Sequence, residues 1–264
     1  MATVEPRVTF PRVVRAEWIK LRSLRSTWIT YAVALLVADG LGVLIAWLRG
    51  RDLHQHGFEL GFDPVAFSLH GLMPAQLAIG VLGVLFVTGE YATGSIRATM
   101  TAVPKRVPVL LAKTLVFAVV TALVALALCF VAFFAGQAVL STWHLGVSIG
   151  HPGALRAVLG GAFYLTVVGL MGLGLGFAIR STGGAIAALF GIVLVLPLIV
   201  QALPSSWQAH TMKYLPLSIA ESLISQLAGI LTGALSTGAG LAVLAAYAVG
   251  ALALGLAVLL RRDV

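Results

Sequence analysis

Six long apolar runs, separated by short polar islands, set the pattern of the chain: roughly residues 28–48, 72–88, 109–140, 158–179, 184–203 and 239–260. A helix needs about 20 residues to cross about 30 Å of hydrocarbon, and each run is close to that length or beyond it. The apolar positions are continuous and do not alternate in segments of about ten residues, which rules out a transmembrane β-barrel. Backbone in lipid must satisfy its own hydrogen bonds, so helices are what remains. The pattern predicts an all-α integral membrane protein, with residues 1–27 as an N-terminal segment and 28–264 as a six-helix transmembrane domain. Pro197, inside the fifth run, predicts a kink that neighbouring helices absorb.

The polar islands carry patterns of their own. Before the first run, Phe10, Val13, Val14, Trp18, Leu21 and Leu24 share one helical arc, while Arg12, Arg15, Lys20 and Arg22 face away. Glu17, Ile19 and Arg25 fit this division less well. The arrangement predicts a helix lying in the membrane surface, with Trp18 at headgroup depth and Arg15, Lys20 and Arg22 toward anionic lipid. Between the second and third runs lies VTGEYATGSIRATMTAVPKR, residues 87–106. Glu90 stands at the membrane edge and Gly94 precedes a helix-capable stretch, Ser95–Val103, that leads into Pro104, Lys105 and Arg106. Ile96, Met100 and Val103 form the apolar side of this stretch, and Glu90 is expected to clamp Arg97 or join a partner contact. The whole island reads as a small knob offered to a soluble partner.

Two further islands are less specific. His54, His56 and His70 stand near Glu59 and Asp63, and both side-chain types ligate zinc. His54 and His56 are two apart and lack the helical spacing of HExxH, so a solvated loop is the expectation. In 204–238, Ser218-Ile219-Ala220-Glu221 has the spacing of a capping box, followed at helical intervals by Leu223, Ile224, Leu227 and Leu231. A helix dipping into, or lying along, the outer leaflet is expected there.

Composition agrees with the run pattern: 60% of residues are hydrophobic and 10% charged, against roughly a quarter charged in soluble domains. The net charge of +8 reflects orientation. With the N-terminus in the cytoplasm, thirteen of the seventeen Lys and Arg residues fall inside, and Arg49, Arg51, Arg156 and Lys213 fall outside. Both termini are then cytoplasmic. No basic patch is interleaved with aromatics, so a nucleic-acid partner is not expected. The first run is too long for a cleaved signal and lacks a small-residue cleavage site, so it is expected to stay. Cys129, the lone cysteine, can form no internal disulfide and reads as a small buried hydrophobe.

Inside the runs, Asp39 lies near the expected bilayer midplane, where a charge costs about 2.5–3.5 kcal/mol. Two readings stand: a translocation-path or dimer-interface position, or a protonated or internally bonded carboxyl that packs. Gly169, Gly172, Gly174 and Gly176 make a small-residue face for close helix packing. They sit within an apolar helix, so they are no nucleotide-binding loop. The chain contains no GxxxxGK[ST] or HExxH and no paired carboxylates within a run, so no catalytic residues, cofactor or metal are expected.

Glu17-Trp18-Ile19-Lys20-Leu21-Arg22-Ser23 with Arg25-Ser26-Thr27-Trp28 resembles the entry segment of ABC-2 type exporter permeases of bacteria. Glu90-Tyr91-x-x-Gly94-Ser95-Ile96-Arg97 through Pro104-x-Arg106, with Ala112-Lys113, resembles the pattern after their second span. Tyr214-Leu215-Pro216 is similar to their outer segment, and the likeness runs along the whole chain. The resemblance implies a type V exporter-like fold in the plasma membrane, with an amphipathic entry helix, a cytoplasmic coupling helix and re-entrant outer helices. It also implies two permease subunits, identical or paralogous, working with two separate ATP-binding subunits. Coupling to the ATPase then falls to Glu90, Gly94, Ser95, Ile96, Arg97, Met100, Val103 and Arg106. The expected cargo is a drug, lipid or hydrophobic peptide. Two alternatives are a non-transporting immunity or sensing subunit and an ATP-independent secondary transporter.

Overall fold

The computed structural model describes residues 9–23, 25–56, 62–103, 105–225 and 233–262. Leu24, Glu59, Pro104, Leu227 and Leu231, which enter the sequence reading, lie outside the described residues. Among the described residues the chain is helical, with no strand. A surface helix α1 (Phe10–Ser23) precedes α2 (Arg25–His56), and a short α3 (Pro64–Ser68) precedes α4 (Leu72–Ala92). Then follow α5 (Ser95–Ala102), α6 (Arg106–Ser141), α7 (Ala154–Ile179) and α8 (Thr182–Phe190). A π-helical turn (Gly191–Val195) joins α8 to α9 (Leu196–Gln201), and α10 (Ser205–Thr211), α11 (Pro216–Ile224) and α12 (Thr237–Arg261) complete the chain. Six helices are long and apolar enough to cross a membrane: α2, α4, α6, α7, the α8–α9 unit and α12. They define a multi-pass membrane protein whose helices follow the six apolar runs.

α7 is the central helix, with α4, α6 and α12 packed around it. Its glycines explain the closeness, on two sides and not on the one face expected: a methyl group on Gly172 would run into the backbone of Gly80 on α4, and one on Gly174 into that of Ala251 on α12. Gly83 of α4 returns the contact against Gly169. Without an apolar driving force between helices in lipid, such close backbone approach supplies the dispersion energy that holds them. Pro197 lacks a backbone N–H, and the π-helical turn just before it absorbs the mismatch inside the fifth span.

α1, α5 and the end of α12 gather at one end of the bundle, the near end, while α3 and α11 meet at the far end. α2 overruns its apolar run at the far end, where Trp47 and Trp143 pack edge to face and Arg51 lies over Trp47. Gln137 of α6 donates to Pro64 O (2.8 Å) and Ser68 Oγ (2.9 Å) and accepts from Val147 N–H (2.7 Å). That buried amide therefore fastens α3 to α6.

The expected capping box at Ser218–Glu221 does not form. α11 begins at Pro216, with Leu215 as its N-cap and no side-chain cap. Proline is pre-set for the first helical position, so the helix starts before Ser218 and leaves that serine inside it. The glutamate is released from backbone duty.

Candidate functional site

The near end holds a cluster of four charges drawn from three helices. α1 buries Val13, Glu17 and Leu21, one residue per turn, while Phe10, Trp18 and Ile19 stay exposed beside Arg15 and Arg22. The expected arc is thus rotated: Glu17, which fitted it poorly, is the centre of the buried stripe, and Trp18 lies outside it. Lys20, expected to face lipid headgroups, turns inward instead. From the other side Glu90 comes in on the last turn of α4, and Lys113 two turns into α6.

Lys113 Nζ donates to Glu17 Oε2 at 2.6 Å and to Glu90 Oε1 at 3.0 Å. It also sits 4.4 Å above the Phe86 ring, so its three protons face two carboxylates and a π-face. Lys20 Nζ donates to Glu17 Oε1 (2.8 Å), Glu90 Oε1 (3.0 Å) and Thr99 Oγ1 (3.0 Å). Two carboxylates and two ammonium groups sum to zero charge. Lys113 has no exposed surface and Glu17 only 1%, so each would be intolerable there without the others. Burial pulls the Lys20 ammonium down, but hydrogen bonding and attraction from Glu17 and Glu90 outweigh it and hold its pKa above the ordinary lysine value.

The Lys20–Thr99 bond ties α5 to this junction. α5 starts after Gly94, whose φ of 70° is left-handed and open to glycine at no steric cost. Its apolar side faces inward: Ile96 is buried and Met100 packs against the core. The reading of Ile96 and Met100 as an outward knob is therefore corrected; the chain's own helices already satisfy them. Val103 is the half-buried C-cap of α5. The free face of α5 carries Arg97, Ala98, Thr101 and Ala102, with Ser95 and Gly94 at its start. Glu90 pairs with Lys20 and Lys113, not with Arg97.

Arg106 serves another contact. Its Nη1 donates to Leu259 O (2.6 Å) and Arg262 O (3.0 Å), and Arg180 Nη2 donates to Arg262 O (3.2 Å). Two guanidinium groups thus cap the carbonyls at the end of α12, where the helix dipole favours positive charge.

Asp39 is buried, at 8% exposure, and both its carboxylate oxygens lack a hydrogen-bond partner among the described residues. Its neighbours Ala38 and Gly42 touch the Ser68–Gly71 segment that leads into α4. Asp39, midway along α2, is therefore level with the start of α4. The turn at the far end comes back down beside α2, which run lengths alone could not reveal.

Glu17 and Lys113 enter the sequence reading only within longer motifs and Thr99 not at all, yet the structure brings all three together with Lys20 and Glu90. Lys113 carried the clearest signal, a lysine just inside an apolar run, since such a charge needs a partner. Beside the cluster, a cavity of about 510 Å³ opens between the start of α2 and α4. Ser26, Thr27, Thr30 and Thr93 supply hydroxyls to its lining, and Leu85 and Phe86 an apolar wall. The chain matches no protein-family model, and no curated protein matches it.

Proposed function

We propose that this chain is the membrane-spanning subunit of an ATP-driven exporter of the ABC-2 type, coupled to a separate ATP-binding subunit and paired with a second permease subunit. The observation that carries the reading is the junction of Glu17, Lys20, Glu90 and Lys113, which holds the exposed helix α5 to α1 and to two spans. Magnitudes favour a lever. Breaking the buried Lys113–Glu17 pair costs about 3–5 kcal/mol and the Lys20–Thr99 bond that ties α5 to it about 1.5–3 kcal/mol, whereas an exposed pair of the kind Arg97 could make with a partner is worth about 0–1 kcal/mol. A soluble motor pushing on α5 would therefore remake its own contact long before the junction yields. α4, α6 and α1 would move with α5 as one body.

In this reading the near end is cytoplasmic and the membrane is the plasma membrane, as the distribution of basic residues favours. The hydroxyl-lined cavity between α2 and α4, with its apolar wall, suits amphipathic cargo. Purification of the tagged chain from its host in mild detergent, with mass spectrometry, tests the proposal. A co-purifying protein carrying GxxxxGK[ST], in two copies beside two membrane chains and lost in an Arg97→Glu variant, is the expected result. Recovery of this chain alone, under conditions that preserve other transport complexes, would overturn it. The unpaired Asp39 favours a proton-coupled carrier as the second reading, and proton-dependent flux without ATP would select it.

A further inference from the structure

A second cavity lies at the far end, away from the charge cluster. It measures about 190 Å³ and is enclosed by α3, the start of α4, α7 and α11. Most of its lining is apolar, from residues such as Leu69, Leu72, Leu217 and Ile224. An apolar cavity of about 150 Å³ is enough to hold benzene, so this one has room for a single aromatic ring or a short alkyl chain.

The polar groups of the lining are almost all acceptors. The Tyr164 hydroxyl spends its proton on Gln76 Oε1, and the Ser225 hydroxyl donates to Asp63 Oδ2 (3.1 Å). His70 Nδ1 lies 2.8 Å from Ala66 O. A carbonyl only accepts, so Nδ1 carries a proton and is engaged outside the pocket's own polar groups. Glu221 completes the set: released from the capping role by Pro216, its carboxylate makes no hydrogen bond among the described residues. Partial burial pushes the Glu221 carboxyl up, with His70 drawing it partly back, while the residue keeps an exposed edge that a ligand can reach. At the rim Arg156 donates to Ser225 O (2.9 Å) while Asp63 accepts from Ser225 Oγ, so the nearby fixed charges offset each other.

An apolar pocket of single-ring size, with a carboxylate at its edge and the Tyr164 and Ser225 hydroxyl protons already engaged, fits an apolar group that ends in several N–H donors. We infer that this far-end pocket binds a small amphipathic amine in its ammonium form, an arylalkyl- or short alkyl-ammonium, with the ammonium on Glu221 and the apolar body against Leu69, Leu72 and Ile224. The site is separate from the α5 junction and does not depend on the exporter reading.

The test uses the full chain in lipid nanodiscs and three probes of equal size: benzylammonium, benzyl alcohol and benzoate. Calorimetric titration should give saturable binding of benzylammonium at one per chain, at least about tenfold tighter than benzyl alcohol, and no binding of benzoate. E221Q should weaken benzylammonium by about 10- to 100-fold, the loss of one charge-assisted hydrogen bond, and L217W should abolish binding by filling the pocket. Equal affinity for amine and alcohol on the unaltered chain would overturn the assignment, a comparison that needs no variant to fold. Wild-type affinity in E221Q or L217W would overturn it as well.

Discussion

A lysine with no exposed surface in an apolar helix is tolerable only when each of its protons has somewhere to go, and Lys113 meets that condition. Replacing it with Met leaves Glu17 and Glu90 short of a counter-charge. K113M should therefore lose about 3–5 kcal/mol in reversible SDS unfolding. The K113M/E17M double variant should lose less than the sum of the singles, since each removes the other's reason for being charged. Strict additivity would show that the pair is not coupled. Lys20 adds a pH signature. Its folded pKa lies above the unfolded value, so its contribution is complete below about pH 10.4 and is lost as pH rises through the folded value. The difference in Tm between wild type and K20M should stay constant from neutral pH to about pH 9.5 and shrink above it. At this scale the sequence displayed the unusual residues but not their pairing. Glu17 and Lys113 are 96 positions apart, and nothing local names one as the partner of the other.

Among the elements, α5 shows how a correct helix can be assigned the wrong face. Its position between the second and third spans was legible from Gly94, Ser95 and the breaker Pro104, and its apolar stripe from Ile96 and Met100. Which way the stripe points depends on what packs beside it, and here α1 and α4 offer an apolar seat and a Lys20–Thr99 bond. Ile96→Asp should therefore unfold or misassemble the chain, at a cost of more than about 3 kcal/mol, because it buries an unpaired charge. Arg97→Glu on the free face should leave Tm unchanged within the effect of about 0.5 kcal/mol while abolishing capture of an ATP-binding subunit. Thermal unfolding paired with pull-down separates the two outcomes. Gly172→Leu should break the α4–α7 approach and lower Tm more than the same change at Gly183, where no atom lies near. Gly169, Gly172 and Gly176 were readable as a packing face because their spacing puts them on one side of the helix, whereas Gly174 lies on the other side, against α12. α11 was misread at its start because Ser-x-x-Glu spacing and a proline two residues earlier both propose a helix start, and the proline prevails.

For the molecule as a whole, the exposed apolar surface is uneven. α7 is mostly enclosed, whereas Leu36 on α2 and Leu198 on α9 are well exposed. Lipid or a second copy must cover such faces. Cys129 is buried, so single cysteines can be added without removing it. If a second permease subunit lies against the first and fifth spans, Leu36→Cys or Leu198→Cys should give disulfide-linked dimers in native membranes, and Val249→Cys on α12 should not. Monomers from both would place lipid, not protein, on those faces.

Run length and hydropathy alone determined the number of spans and their order, because the cost of unbonded backbone in hydrocarbon leaves a chain of this pattern no other form. Helical spacing likewise determined the glycine packing face. Tertiary structure alone decided which charges share a site, which side of α1 and α5 is inside, the level of Asp39 and the pocket around Glu221. Each of these depends on which residues distant in sequence come within a few ångströms of one another. Ion pairs, buried acceptors and close packing act over that distance and leave no periodic trace along the chain.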